Sequence, residues 1–460
     1  MKIDLTALRG KRVCVAVSGG GDSVALLHCL AAQAAEEDIV LSAVNVEHGI
    51  RGESSRADTE FVRALCARLG LPLYCFSVDV PALARTAGEG VEEAARKARY
   101  RIFLDLLRRD KADVIATAHH AGDNAESVLF NLFRGASLTG AGGIRSFVPA
   151  ESLAYLFPSE ESGPALAGKG IARPLLGVSK REILRYLYEN SLEWREDESN
   201  ADAAYSRNFL RREILAPARG RFPALDRALY DFSRAAREDD EYLYGLARAC
   251  LEEGEVCFVS EDAPGPLFGR ACVLALRSLG VREDYSARNI ADLRALAKGE
   301  NGGAVHLPGG IVARREYGRI SFSRPAPSQV SREVPFGEGE FAFCNYVVQV
   351  FRTDEPAFGE KGTLFLDADK LPAGAVFRLR REGDVFEKFG GGRKKLKEFF
   401  IDRKIPQRVR GSLPVLACGQ EIFAVCGAEI SEKVRIDKNT KNIFAIKLAE
   451  KGESYKCIRT

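Results

Sequence analysis

Apolar runs and amphipathic stretches alternate through the first 130 residues, and few folds accommodate this alternation. It is typical of a parallel β-sheet covered by helices. We therefore expect a doubly wound α/β fold, in which ligands bind beyond the carboxyl ends of the strands. The strands are predicted at residues 12–17, 41–46, 73–78 and 113–118. The helices are predicted at residues 22–34, 55–69, 90–109 and 123–133.

The length of 460 residues is too great for one ordinary core, and about 150 residues per domain suggests two to four domains. We predict three. Residues 1–215 carry the α/β fold. Residues 216–325 look mainly helical and finish with short strand-like pieces near Val305 and at 311–317. Residues 335–460 form a small α+β domain, preceded by a linker rich in proline and serine.

Composition favours a globular protein of the cytoplasm. Hydrophobic residues make up 46% and charged residues 28%, and no apolar stretch approaches the ~18 residues that span a membrane. The start of the chain lacks the apolar core of a signal peptide. The eleven cysteines are scattered, without any CxxC pair, which argues against a disulfide framework, a zinc ribbon or a redox site and suits a reducing cytosol.

A net charge of +3 does not indicate a nucleic-acid partner, but the local charge does. Residues 378–410 hold twelve Lys or Arg against five Asp or Glu. Residues 205–221 hold five arginines against one glutamate, and two of these are Arg207 and Arg211. Both stretches are candidate phosphate-binding surfaces. Solvated faces and surface salt bridges are about equally good explanations.

A glycine-rich loop is the strongest single signal. The string Ser18-Gly19-Gly20-Gly21-Asp22-Ser23 follows a predicted strand and opens a predicted helix. Glycines let the backbone approach an anion closely, and the helix amino terminus offers unpaired N–H groups. The loop is neither a Walker A loop, because no Gly-Lys-Ser/Thr follows, nor a dinucleotide fingerprint, because Val24 stands where its last glycine belongs. A plain glycine-rich turn is the alternative.

Two carboxylates mark the end of the fourth predicted strand. Asp123 and Glu126 follow His119 and are three residues apart at a helix start, so both face the same side. They can hold one cation between them, either Mg²⁺ or an ammonium group. The alternative is that acidic residues stabilise the helix amino terminus.

These strings resemble known families. The Ser-Gly-Gly-x-Asp-Ser string is similar to the pyrophosphate loop of the ATP pyrophosphatase (PP-loop) superfamily, whose members adenylate a substrate oxygen. Further segments resemble the tRNA(Ile)-lysidine synthetase family, strongly over residues 10–215 and well over 375–430. Ser127, where the family has threonine, and the 387–389 and 426–429 stretches depart from its pattern. The segments that carry the likeness begin at His48, Arg96, His119, Arg134, Arg173, Asp197, Arg207, Arg381 and Lys394.

The resemblance implies an ATP-dependent ligase that uses Mg²⁺. Such an enzyme adenylates the wobble cytidine of the isoleucine tRNA with a CAU anticodon and replaces the adenylate with free L-lysine. The lysidine product reads AUA in place of AUG, and AMP and pyrophosphate are released. A homodimer is possible, and no membrane is involved.

The resemblance also implies roles for individual residues. The catalytic candidates are Asp22, His119, Asp123, Glu126 and Arg207. The ATP-binding candidates are Ser18, Gly19, Gly20, Gly21, Asp22, Ser23, His48 and Arg51. The metal candidates are Asp22, Asp123 and Glu126. The tRNA-binding candidates are Arg211, Arg393, Lys394, Lys395, Lys397, Lys404 and Arg410.

Three other functions stay open on sequence grounds. A tRNA thiolase usually needs paired cysteines, which this chain lacks. An NAD or GMP synthetase would not explain the basic carboxyl-terminal stretch. A tRNA-binding protein with an inactive nucleotide site would not need the intact loop and both carboxylates.

Overall fold

The chain folds into two compact units in a computed structural model, residues 1–242 and 243–460. The structure describes residues 1–49, 53–156, 166–195, 206–281, 285–325, 332–359 and 362–450. Arg51 and the 197–200 segment lie outside the described residues. None of the described helices is both long and apolar enough to cross a membrane. The three-domain boundaries stay a prediction, which separate hydrophobic cores at 247–322 and 334–446 support.

The first unit is built on a six-stranded sheet with the order β3-β2-β1-β4-β6-β5. All neighbours are parallel except β5, which pairs with β6 in the antiparallel sense at one edge. The predicted α/β fold is confirmed, and the four predicted strands coincide with β1 to β4. The strands are β1 (Arg12–Ala16), β2 (Val40–Glu47), β3 (Leu73–Ser77), β4 (Val114–Ala116), β5 (Phe147–Pro149) and β6 (Gly170–Ala172).

Helices cover this sheet. Four of them, α1, α2, α4 and α5, lie within two residues of the predicted bounds. The sequence analysis missed α3, which is only eight residues long. A π-helical turn at Leu210–Leu215 follows α8. The helices are α1 (Gly21–Gln33), α2 (Glu53–Arg68), α3 (Val80–Ala87), α4 (Val91–Arg108), α5 (Ala121–Phe133), α6 (Leu138–Ala141), α7 (Lys180–Glu189), α8 (Ser206–Phe209), α9 (Ala216–Arg221) and α10 (Leu225–Ala247).

Both faces of the parallel sheet are buried. Successive side chains of a strand point to opposite faces, so Val13 and Val15 enter one apolar cluster while Cys14 enters another. The first cluster packs α1 and α7 onto the sheet, and the second packs α4 onto it. Burial on both sides explains why β1 reads as a continuous apolar run. It also leaves the carboxyl ends of the strands as the place where loops are free to bind a ligand.

The second unit begins with two helices packed on a five-stranded antiparallel sheet of order β7-β8-β11-β10-β9. The sequence located β9 and β10 and missed β7, β8 and β11; the first two of these are only two and four residues long. The elements are β7 (Leu251–Glu252), β8 (Cys257–Ser260), α11 (Gly265–Ser278), α12 (Ala287–Lys298), β9 (Ala304–Leu307), β10 (Ile311–Glu316) and β11 (Arg319–Ser323).

Two further sheets share one core in the rest of this unit. One has seven strands, with the path β12-β16-β19-β20-β17-β18 and β21 paired to β20, and the other has the order β13-β14-β22-β15. Alternating apolar runs at residues 346–351, 415–416, 422–425 and 443–448 are the sequence signal for strands in this domain, and they lie on β14, β19, β20 and β22. The elements are β12 (Val334–Pro335), β13 (Gly339–Phe343), β14 (Tyr346–Arg352), β15 (Thr363–Asp367), β16 (Val376–Leu379), β17 (Val385–Glu387), β18 (Arg393–Lys395), α13 (Leu396–Asp402), α14 (Gln407–Arg410), β19 (Pro414–Cys418), β20 (Glu421–Val425), β21 (Glu429–Ile430) and β22 (Ile443–Glu450).

A buried ion pair fixes the turn between β16 and β17. The side chains of Arg378 and Asp384 are each only 1% exposed, and two guanidinium nitrogens of Arg378 donate to the two carboxylate oxygens at 2.7 and 2.9 Å. Arg378 also donates to the carbonyl oxygens of Leu379 and Gly419, and Asp384 accepts from the backbone N–H of Arg381. The hydrogen-bond partners of both side chains therefore belong to the protein itself. Removal of either charge leaves the other buried and without its ion-pair partner.

We expect Asp384→Ala to destabilise this part of the chain by about 3–5 kcal/mol, because it strands a buried guanidinium. Hydrogen exchange of the β16 and β19 amides measures the loss locally. The matched control is Glu333→Ala, which breaks the half-exposed pair between Glu333 and Arg381 and should cost less than about 1 kcal/mol. Equal protection in the two variants would contradict the argument.

Candidate active site

The glycine-rich loop connects β1 to α1 at the carboxyl edge of the sheet. The hydroxyl of Ser23 donates to the carbonyl oxygen of Gly20 at 2.8 Å and accepts from the backbone N–H of Ser18 at 3.2 Å. These bonds close the loop on itself. Gly20 caps α1 without a side-chain hydrogen bond, so the first N–H groups of the helix have no partner within it. The loop is thus a preformed cradle for an anion.

Two of the glycines are required by the structure. Gly19 has a φ of +92°, a conformation that other residues rarely adopt. A Cβ on Gly21 would lie 3.1 Å from Leu187 and 3.4 Å from Trp194, which pack against the start of α1. The carbonyl oxygen of Gly19 also accepts from the backbone N–H of Arg195 at 3.0 Å. The loop is therefore held from outside as well as from within.

Asp22 and Asp123 meet at His120. The Nε2 atom of His120 lies 3.8 Å from a carboxylate oxygen of each. The Nδ1 atom accepts from the backbone N–H of Gly122, so the neutral ring carries its proton on Nε2, facing both carboxylates. Asp123 also accepts from the backbone N–H of His120 and thereby caps α5. Asp22 carries a second partner, the Nζ atom of Lys180 at 2.5 Å.

Glu126 lies one turn further along α5 and faces a different cation. Its two oxygens accept from the Nε and a terminal nitrogen of Arg211 at 2.6 and 2.9 Å. The hydrogen bond with Glu126 raises the pKa of Arg211, and the charges of Asp123 and Asp22 act in the same direction. Arg211, predicted as a tRNA contact, thus lies in the field of all three carboxylates. That one cation is held between Asp123 and Glu126 stays a prediction.

A divalent metal fits part of this arrangement. Among the described residues, no group of three or more His, Cys, Asp or Glu side chains is placed to hold a metal ion. Mg²⁺ does not require such a cage, since it is usually held by one or two carboxylates together with phosphate oxygens and water. Asp22 and Asp123 lie beside the phosphate cradle and suit that mode, whereas Glu126 is engaged by Arg211. All three stay predictions as metal ligands.

His119 follows the end of β4 and lies within the electrostatic influence of two arginines, Arg173 and Arg99. Burial, followed by the positive charges of Arg173 and Arg99, lowers the pKa of His119 to about 3. Its Nδ1 atom lies 3.0 Å from the hydroxyl of Thr117. Burial, followed by the charge of Arg99, also lowers the pKa of His48. Both imidazoles are therefore neutral at physiological pH and act as hydrogen-bonding groups there.

Two polar atoms in the neighbourhood of His119 have no hydrogen-bond partner among the described residues. They are Nδ1 of His48 and Nε of Arg173, and both are buried. The rest of Arg173 donates to the carbonyl oxygen of Arg145 and to the hydroxyl of Tyr100. Buried polar groups normally find a partner. Uncommitted polar atoms beside positive charge suit an anionic or polar ligand.

The carboxyl-terminal basic stretch separates into exposed and engaged residues. On the edge strand β18, Lys394 turns to Asp402, while its neighbours Arg393 and Lys395 are exposed. Lys397 and Lys404 are also exposed. Arg410 instead donates to the carbonyl oxygen of Ile405 and to the hydroxyl of Tyr317. Four of the six predicted tRNA contacts in this stretch therefore present a free charged end to solvent.

Sequence reasoning did not place Lys180 or Arg173 at the site. Arg173 opens a segment that was matched to the family, so the motif contained a signal that was not used. Lys180 had no local signal, because its contact with Asp22 spans 158 positions. Arg207 was predicted to be catalytic, but its guanidinium lies over the ring of Phe130, at 5.5 Å from the ring centroid.

Comparisons with known proteins agree with this geometry. Residues 2–218 match the family described as PP-loop domain, and residues 376–448 match the family described as TilS substrate C-terminal domain. The fold, the glycine loop and these matches define a PP-loop enzyme that uses ATP.

Full-length relatives specify the family. The chain is 31% identical to tRNA(Ile)-lysidine synthase of Caldanaerobacter subterraneus subsp. tengcongensis, over 95% of this chain and 93% of that protein. It is also 31% identical to the Geobacter sulfurreducens protein of that name, with coverage of 95% and 93%. The chain belongs to the tRNA(Ile)-lysidine synthase family. A solved TILS C-terminal domain is 21% identical, with a TM-score of 0.24, covering 26% of this chain and 98% of that one.

We expect His119 to make the first unit less stable in mild acid. Its pKa is lowered in the folded chain, so below about pH 6.5 the unfolded chain binds a proton that the folded chain does not. Between pH 6.5 and 5.5 the free energy of unfolding should fall by about 1 kcal/mol more in the wild type than in His119→Asn. Urea unfolding followed by the fluorescence of Trp194 measures this. His306→Asn, in the second unit, is the control. Parallel pH profiles for the wild type and His119→Asn would refute the assignment.

Proposed function

We propose that this chain ligates free lysine onto carbon 2 of the wobble cytidine of the isoleucine tRNA with a CAU anticodon. The products are lysidine, AMP and pyrophosphate, and the modified tRNA reads AUA in place of AUG. One observation carries the proposal. The phosphate cradle and the acidic start of α5 meet at His120, in a chain similar to lysidine synthases over 95% of its length.

The first step activates the cytidine. Carbon 2 of cytosine is a poor electrophile, and its oxygen is a poor leaving group until it is converted to an ester. The oxygen attacks the α-phosphorus of ATP, the bond from that phosphorus to the bridging oxygen breaks, and pyrophosphate leaves. The N–H groups at the start of α1 and the hydroxyl of Ser18 hold the departing phosphates. Asp22 or Asp123 would help to hold Mg²⁺, which would supply positive charge beside these phosphates.

The second step replaces the adenylate. The lysine amine attacks carbon 2, a carbon–nitrogen bond forms, and AMP leaves with the former carbonyl oxygen. The amine has an ordinary pKa of about 10.4 and is therefore protonated near pH 7, so it must first lose a proton. Asp123 and Glu126 are suited to position the ammonium group and draw off its proton. Because Arg211 occupies Glu126, an incoming ammonium has to displace that guanidinium or bind beside it. The two acids bind lysine, metal or both.

Binding of the tRNA is assigned to charge on the carboxyl-terminal surface. Arg393, Lys395, Lys397 and Lys404 are exposed and suit contacts with phosphates, which position an RNA without reading its sequence. Discrimination against the methionine tRNA with the same anticodon then has to come from stem shape and other bases. A homodimer and a cytoplasmic location stay predictions from the sequence.

The decisive assay supplies ATP, Mg²⁺, radiolabelled lysine and unmodified isoleucine tRNA with a CAU anticodon. We expect stable label at the wobble cytidine. Asp22→Ala should reduce the rate of labelling by roughly 100-fold or more, because Asp22 lies at the phosphate cradle. The control is Glu60→Ala, an exposed carboxylate on α2 whose loss should leave the rate unchanged. ATP cleavage to AMP and pyrophosphate without label would leave a PP-loop enzyme acting on another nucleophile or acceptor.

Asp123→Asn tests how the second step is divided between lysine and metal. If Asp123 holds the ammonium, KM for lysine should rise about tenfold or more while KM for ATP stays constant. If it holds the metal, the Mg²⁺ concentration that gives half the maximal rate should rise instead. Titrating lysine and Mg²⁺ separately distinguishes these results. Undiminished lysidine formation with both titrations unchanged would exclude Asp123 from either role.

A further inference from the structure

One face of α5 leads away from the acidic site. Residues three and four apart on a helix are neighbours, so Glu126, Phe130, Phe133 and Arg134 follow one another along this face. Glu126 belongs to the candidate active site, whereas the other three have no part in it. At 1.5 Å per residue, the distance along the axis from Glu126 to Arg134 is about 12 Å.

A second helical segment runs beside this face in the opposite direction. Arg211 pairs with Glu126, and Arg207, one turn earlier in the chain, lies over Phe130, one turn later in α5. The π-helical turn at Leu210–Leu215 contains the first of these arginines. Two successive contacts of this kind fix the register of the two segments. Arg207 is thereby placed next to Arg134.

Phe130, Phe133, Arg134 and Arg207 form what we call the Phe130 stripe. The guanidinium carbons of Arg134 and Arg207 lie 5.4 and 5.5 Å from the centroid of the same ring. Phe133 is 64% exposed, and both arginines are exposed. No carboxylate among the described residues pairs with either guanidinium. Two positive charges lie over one ring, beside the exposed phenyl group of Phe133. Such a surface is energetically unfavourable unless an anion with apolar faces covers it.

We propose that the Phe130 stripe binds single-stranded RNA next to the nucleotide being modified. Unpaired bases stack on aromatic rings and on guanidinium planes, and the same guanidiniums bind the phosphates between the bases. The stripe begins one helical turn from Glu126, so a strand whose target base lies at the acidic site continues over Phe130 and Phe133. This inference rests on the proposed function, and it specifies the anticodon loop as the part of the tRNA bound here.

The test measures RNA binding without ATP or lysine, so it does not depend on catalysis. The probe is a fluorescein-labelled anticodon stem-loop with the CAU loop, followed by fluorescence anisotropy against the full chain. Phe133→Ala should weaken binding by about fivefold or more, the loss of one stacked base. Arg134→Ala should weaken it by about tenfold and lower the slope of log Kd against log salt by about 0.7. Arg134→Lys should keep the slope but still bind more weakly, because an ammonium does not stack.

The control variant is Arg9→Ala, which removes an exposed arginine paired with Glu37 before β1, at the opposite end of the strands. It should bind the stem-loop as the wild type does. Binding of MgATP, measured in parallel, should be unchanged in every variant and shows that the unit is folded. Wild-type affinity in both Phe133→Ala and Arg134→Ala would overturn the proposal. Weakened stem-loop binding in a chain that forms no lysidine would support the stripe while refuting the proposed reaction.

Discussion

The burial of both faces of the parallel sheet is the constraint on which the rest of the first unit depends. Helices close both sides, so the backbone is free to take irregular conformations only at the strand ends. The carboxyl ends of β1, β2, β4 and β6 lie side by side in the sheet order. The glycine loop, His48, His119 and Arg173 follow these four strands, and one edge therefore gathers residues that are far apart in sequence.

Charge divides this edge into two chemically different parts. Asp22, Asp123 and Glu126 lie along the starts of α1 and α5, while the neighbouring His119 has its pKa lowered by burial and by the positive charges of Arg173 and Arg99. The proposed reaction, which releases pyrophosphate and then consumes an amine, needs both an anion site and a cation site. His119, which stays neutral, can line the anion site without adding a proton that titrates near pH 7.

Local patterns predicted much of this and long-range contacts did not. Apolar runs located β1 to β4 within two residues, because burial on both faces leaves a continuous signature in the sequence. The glycine loop was evident for a similar reason, since φ at Gly19 and the packing at Gly21 tolerate little else. Short strands such as β7 and β8 contain too few residues to show the alternation of side chains that is typical of a strand. The contacts of Lys180 with Asp22 and of Arg211 with Glu126 could not be predicted, because tertiary structure alone brings those residues together.

Those two contacts affect the electrostatic balance of the site. Clustered carboxylates repel one another, and two of the three, Asp22 and Glu126, each pair here with a cation from the chain itself. The pair of Glu126 with Arg211 is two-pronged and mostly shielded from water on the carboxylate side, so it is stronger than an exposed ion pair. Arg211 follows Arg207 by one turn, on the segment that also carries part of the Phe130 stripe. One helical segment therefore carries both the partner of Glu126 and part of the Phe130 stripe.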